Sequence, residues 1–261
     1  MFAVLHIILI IGCLMARFLV IDHLDFSADP EEFAPVIALL IVVLTMLFSA
    51  ISFGCCIMYA VRFYKNLFTD EGYITWTLPA SPLTQLWTKI LSASIWYVLD
   101  LTICFAAAWF LISGDNIQSA LERIKPDFQA ALGMSFSSFC GLVVFFSFVG
   151  IVSCVLFIYT SIAIGQLVPA HRIIVSIAVY FILNLIIQIV TIGVSFITSV
   201  FPDYVFSPAQ TSFSEYFFQT LLIGTCTTTV LAIAGYFITY RILQRKVNLI
   251  SKKGLKHIRP D

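Results

Sequence analysis

The chain has 261 residues, 61% hydrophobic and 11% charged, with a formal net charge of +0 and a mean hydropathy of +1.02. A soluble domain is nearer half apolar and a quarter charged, so this composition excludes an ordinary soluble enzyme or binding module and places the chain in the membrane class. The zero net charge hides an uneven distribution of charge along the chain.

A spanning helix needs ~20 mostly apolar residues, because the hydrocarbon core is ~30 Å thick and a helix rises about 1.5 Å per residue. Six runs meet that length: Phe2 to Ile21, Val36 to Tyr59, Leu91 to Ile112, Phe136 to Ile164, Ile173 to Val200 and Phe217 to Tyr240. Each is too long and too uniformly apolar for barrel strands, which alternate over about ten residues. The expected fold class is all-α: a polytopic membrane protein, one transmembrane domain over residues 1–261 with six spans and little room for a soluble domain. Nothing basic precedes Arg17 in the first run and no small-residue cleavage site follows it, so it reads as a retained span rather than a signal peptide.

Positive charge in short loops marks the cytoplasmic side. Arg62, Lys65, Lys89 and Arg172 lie in the second and fourth connections, and Arg241, Arg245, Lys246, Lys252, Lys253, Lys256 and Arg259 follow the last span. The opposite side holds Arg17, Arg123 and Lys125, with the acids Asp22, Asp25, Asp29, Glu31, Glu32, Asp115, Glu122, Asp127, Asp203 and Glu215. Both termini are therefore expected in the cytoplasm and the acidic loops outside. The tail at 241–261 is either a stop-transfer flank or a grip on anionic lipid.

The polar interval from Arg62 to Leu91 is longer than a simple reversal of direction needs. The second helix has no breaker at the membrane edge and is predicted to continue through Phe68. Gly72 permits a turn, Pro79 biases Leu78 to an extended conformation, and Ser81-Pro82 reads as an N-cap followed by the favoured first helical residue. Phe63, Tyr64, Leu67, Phe68, Tyr73, Ile74 and Trp76 give the segment a large aromatic and apolar payload. It suits either an interfacial elbow, with rings at headgroup level, or a docking surface with aromatic anchors.

The string Tyr64-Lys65-Asn66-Leu67-Phe68-Thr69-Asp70-Glu71-Gly72-Tyr73, followed by Thr77-Leu78-Pro79, resembles the first cytoplasmic segment of bacterial ABC-2-type ABC transporter permeases. The order of spans and the basic tail are similar over nearly the whole chain, most of all to the small six-span permeases of Gram-positive bacteria. The resemblance implies a coupling segment at 62–90 that fits a groove on a separate cytoplasmic ATPase subunit, with Tyr64, Lys65, Asp70, Glu71, Gly72, Tyr73, Leu78 and Pro79 at or beside the contact. It also implies a second permease chain, identical or related, and a bacterial plasma membrane. Family members usually carry a basic amphipathic segment before the first span. Here the apolar run opens at Phe2, so no role of that segment is carried over.

Asp100 is the clear acid within a span, eleven residues after Lys89 and so about 16 Å along the helix. A charge at that depth costs at least ~2.5 kcal/mol, so the side chain must face protein and pair or stay protonated. It is either a substrate or proton site, or a protonated acid bonded to a neighbouring helix. In the fifth span Asn184, Gln188, Thr191, Ser195 and Thr198 recur at helical spacing on one face, as a pathway lining or a helix-packing stripe. Thr225, Thr227, Thr228 and Thr229 cover several faces of the sixth span and carry less.

Some chemistries have no residues to support them. The sequence has no Gly-x-x-x-x-Gly-Lys-Ser/Thr loop, so ATP hydrolysis would belong to a partner, and no enzyme activity is expected of this chain. His6, His23, His171 and His257 are scattered and form no zinc motif. The cysteines Cys13, Cys55, Cys56, Cys104, Cys140, Cys154 and Cys226 all lie in apolar runs and read as small hydrophobes, so neither metal nor cofactor is expected. No catalytic triad, nucleic-acid motif or internal repeat is evident. The sequence reading is the membrane subunit of an ATP-driven exporter, with a non-transporting scaffold or sensor using the 62–90 segment as the rival.

Overall fold

The computed structural model describes residues 2–23, 30–69, 72, 77, 79–168, 171–206 and 213–257. Among them there is no strand. The helices are α1 (Phe2–Leu19), α2 (Pro30–Phe68), α3 (Pro82–Ile112), α4 (Asp115–Leu132), α5 (Phe136–Gly165), α6 (Arg172–Ile197), α7 (Val200–Phe206) and α8 (Phe213–His257), with a 3-10 turn at Ile21–His23 after α1. Among the described residues six stretches are long and apolar enough to cross a membrane: Phe2–His23, Pro35–Phe68, Pro82–Ile112, Phe136–Gly165, Arg172–Ile197 and Phe213–Arg245. These are the six runs expected from the sequence, each with its ends moved by a few residues or extended.

The extensions have local causes. At 39 residues α2 is roughly 58 Å long, nearly twice the hydrocarbon thickness. Its apolar run passes into Arg62–Phe68 without a breaker, and Thr69 closes the end by donating its hydroxyl to the Lys65 carbonyl at 2.6 Å. The α3 helix starts at Pro82 as expected. Ser81 Oγ accepts from the Thr84 amide at 3.2 Å, occupying a donor that the first turn would otherwise leave open.

The chain packs as two compact units, Met1–Met58 with Ile95–Leu142, and Tyr59–Ser94 with Val143–Asp261. Helices α2, α3 and α5 are each divided between the units, most of α2 belonging to the first. In the first unit α1 offers the buried stripe His6, Leu9, Cys13 and Ala16, at spacings of 3, 4 and 3 that keep one helical face. It packs on Ile51 of α2 and Ala107 and Leu111 of α3, with Leu44, Leu47 and Ile103 partly buried around them. Arg17 ends that stripe. Its guanidinium donates to the Phe110 carbonyl at 2.7 Å and Ser113 Oγ at 3.1 Å and lies over the Phe110 ring at 4.4 Å. A cation at the last carbonyls of α3 complements the helix dipole, so this basic residue is spent on a helix end.

The polar stretch after α3, expected from its charges to be an external loop, is itself helical. In α4, Ile117, Ile124 and Phe128 recur at helical spacing, and Glu122 and Lys125 form an ion pair. Phe128 meets Phe136 and Phe139 of α5 edge-on at 5.5 and 5.3 Å. An apolar stripe opposite charged residues, on a helix joined directly to two spans, suits the membrane–water interface. Gly133 ends the helix at φ 68°, a left-handed conformation that costs other L-residues roughly 1–2 kcal/mol.

In the second unit the tightest approaches use glycine. A Cβ on Gly165 would lie 2.0 Å from Ser176 Oγ and 2.8 Å from the Ser176 amide nitrogen, so α5 and α6 can turn this closely only without a side chain there. A Cβ on Gly235 of α8 would lie 2.6 Å from Thr160 Oγ1 of α5, where Thr239 Oγ1 stands 3.1 Å from the same oxygen. The obstacle at Gly235 is a movable hydroxyl rather than backbone. Gly235→Ala is therefore expected to cost about 1–3 kcal/mol, the usual range for overpacking. Thermal unfolding in detergent checks this, and Thr160→Ala combined with Gly235→Ala should recover part of the loss, because the clashing hydroxyl is gone.

Candidate functional site

Two places carry chemistry. The first is the base of the segment between α2 and α3. Phe63 and Leu67, four residues apart on the last turns of α2, are buried, as are Leu86 and Ile90 on the first turns of α3. Tyr159 of α5 touches both limbs. Its ring stacks on Phe63 at 3.7 Å with an 11° interplanar angle, and its hydroxyl donates to the Lys89 carbonyl at 3.1 Å. A planar side chain with one polar tip is suited to this double contact, since one end needs an apolar face and the other a partner.

Of the expected coupling residues, Tyr64 and Lys65 are on the last turns of α2, half-buried and exposed respectively. Tyr64 leans towards Phe68 at 6.4 Å between ring centroids. Gly72 is buried, its amide donates to the Thr69 carbonyl at 2.8 Å, and a Cβ there would come within 2.8 Å of the Leu67 backbone. Pro79 is exposed. Asp70, Glu71, Tyr73 and Leu78 lie outside the described residues.

The second place surrounds Asp100. The carboxyl is 1% exposed, buried as its depth in the span demands. Oδ1 lies 2.8 Å from His6 Nε2 of α1 and 3.5 Å from Cys55 Sγ of α2, and Ser52 Oγ lies 3.4 Å from Oδ2. The other ring nitrogen of His6, Nδ1, is 2.8 Å from the Phe2 carbonyl. A carbonyl can only accept, so Nδ1 carries a proton. The 2.8 Å Nε2–Oδ1 contact then holds one further proton, on the ring or on the acid. Either way the pair is neutral as a whole. The sequence reading counted His6 among scattered histidines and Cys55 among small hydrophobes. The fold instead brings both to Asp100, across 94 and 45 residues of chain.

The fifth-span stripe does not form one cluster. Asn184 donates to the Tyr180 carbonyl at 2.8 Å and Thr198 to Val194 at 2.9 Å, each within its own helix. Ser195 is buried, Gln188 is exposed, and Thr191 Cγ2 lies 4.0 Å from where a Cβ on Gly224 of α8 would stand. The bonds that Asn184 and Thr198 make stay on their own helix, so the stripe offers no set of converging donors. The sequence places Phe63 in the segment's aromatic payload, but the roles of Tyr159, Ser52, Cys55 and His6 are not read from it. Comparison with protein-family models, characterised proteins and solved structures found no match. The described residues are all-helical or irregular, and six helices long and apolar enough to cross a membrane mark a multi-pass membrane protein.

Proposed function

We propose that this chain is the permease subunit of an ATP-driven exporter of the ABC-2 type, in a bacterial plasma membrane with both termini in the cytoplasm. The observation that carries this reading is the framing of the 62–90 segment. Helices α2 and α3 extend beyond the hydrocarbon thickness to hold it, and Tyr159 ties the two limbs at their base. A loop that merely reverses direction needs neither long helical stems nor a buried clamp.

The charge pattern supports the orientation, since eleven of the fourteen Lys and Arg fall on the side of that segment. The missing P-loop supports a separate ATPase. Two permease chains with two ATPase subunits would form the transporter. Nucleotide binding in the ATPase would move the segment, and the clamp would pass that movement to α5.

The test is whether a neighbouring gene encodes a P-loop ATPase and, where one does, whether the two proteins purify as a complex after co-expression. The wild-type chain should retain the ATPase, and Glu71→Lys and Tyr73→Ala should each lower retention at least ten-fold. Full retention by both variants would remove the segment as the dock. A stable complex whose ATP hydrolysis moves nothing across the membrane would favour the scaffold instead.

A further inference from the structure

His6, Cys55 and Asp100 come from three helices of the first unit, all three are buried, and one donor atom from each lies within 4.8 Å of the other two. The exporter reading makes no use of them. We propose that His6 Nε2, Cys55 Sγ and an Asp100 carboxylate oxygen form a three-donor site for one divalent transition-metal ion of the zinc class.

The donor types fit. Imidazole, thiolate and carboxylate all bind zinc, at about 2.0–2.3 Å, and a mixed N, S, O set favours such borderline ions over magnesium or calcium. The geometry is close as it stands. Donors around a tetrahedral ion of that size sit roughly 3.3–3.8 Å apart. Here Sγ–Oδ1 is 3.5 Å, Nε2–Oδ1 is 2.8 Å and Nε2–Sγ is within 4.8 Å, so the second pair must open by about half an ångström and the third close by up to about one. The imidazole is already aimed. Its Nδ1–H is held by the Phe2 carbonyl, the outer hydrogen bond that fixes the tautomer leaving Nε2 for a metal. Ser52 Oγ, 3.4 Å from Oδ2, steadies the other carboxylate oxygen. Three protein donors leave a fourth position for water or another ligand.

Charge selects the valence. Without metal, the His6–Asp100 pair is neutral and the Cys55 thiol adds nothing. A divalent ion displaces the proton shared by Nε2 and Oδ1, and the thiol proton as well. Neutral imidazole, thiolate, carboxylate and a 2+ ion again sum to zero. One divalent cation exchanged for two protons is thus electroneutral, as a buried site within the membrane requires. A monovalent or trivalent ion would leave net charge there.

The experiment uses the full chain, purified in detergent and stripped with chelator, then titrated with Co2+ and separately with Zn2+. Cobalt should give a thiolate-to-metal charge-transfer band in the near ultraviolet and the intense visible bands of tetrahedral coordination. Zinc should be retained after desalting at about one ion per chain. Cys55→Ser, nearly isosteric, should abolish the charge-transfer band. His6→Gln and Asp100→Asn should each weaken zinc binding more than ten-fold, and Cys140→Ser, at an exposed cysteine, should leave the band intact. Unchanged helical circular dichroism separates loss of a ligand from loss of the fold. The proposal is overturned if wild type retains far less than one zinc per chain, or if the band survives Cys55→Ser. The cluster is then a hydrogen-bonded pair only. Because these readouts need no ATPase, the metal site and the exporter reading can fail independently.

Discussion

In chelator-washed protein, His6→Leu is expected to lower stability by about 3 kcal/mol and Asp100→Leu by about 1–2 kcal/mol, while the double variant returns to within about 1 kcal/mol of wild type. The asymmetry follows from what each single change strands. Without His6, Asp100 keeps only the long contacts to Ser52 and Cys55, at 3.4 and 3.5 Å, and a mid-span acid costs roughly 2.5–3.5 kcal/mol. Without Asp100, a neutral His6 keeps its bond to the Phe2 carbonyl and loses only the partner of Nε2, which costs about 1–3 kcal/mol. An interhelical hydrogen bond in a membrane is itself worth only ~0.6 kcal/mol on average, so the pair stabilises little beyond avoiding an orphan. Replacing both partners removes both penalties. Denaturant titration in mixed micelles gives the four stabilities of the cycle. Simple additivity of the two losses would mean that the residues do not interact.

How far the sequence discloses this fold depends on the range of the interaction. Span positions follow from run length alone, and the start of α3 follows from Ser81-Pro82, because capping is decided within four residues. The α4 helix was missed because its charged residues and Pro126 resemble loop. Yet Ile117, Ile124 and Phe128 already carried the helical period, and Gly133 the stop. Asp100 was recognised as needing a partner, but no spacing rule reaches across 94 residues to His6. The available signal was indirect: His6 is the one imidazole in the first run and Asp100 the one acid within a span, and each needs a partner there. Tyr159 was invisible for a similar reason. An aromatic in a long apolar run looks like any other until the two limbs it touches, 70 and 96 residues away, are folded against it.

Tyr159→Ala is expected to cost about 3–5 kcal/mol, and Tyr159→Phe only about 1 kcal/mol. Alanine removes a ring that is 3% exposed and opens a cavity beside Phe63, adding the lost stacking to the lost transfer energy. Phenylalanine keeps the stack and gives up only the bond to the Lys89 carbonyl. On the exporter reading, the two variants also separate docking from transmission. Neither alters Asp70, Glu71 or Tyr73, so both should bind the ATPase like wild type. With alanine, movement of the segment would be absorbed at its loosened base instead of reaching α5. Transport per ATP hydrolysed should then fall ten-fold or more, while hydrolysis by the complex persists. With phenylalanine, transport should stay within about two-fold of wild type, because the ring contact remains. Reconstituted vesicles assayed for both quantities decide the matter. Equal coupling in the alanine variant and wild type would show that the Tyr159 contact holds the segment in place without transmitting its motion.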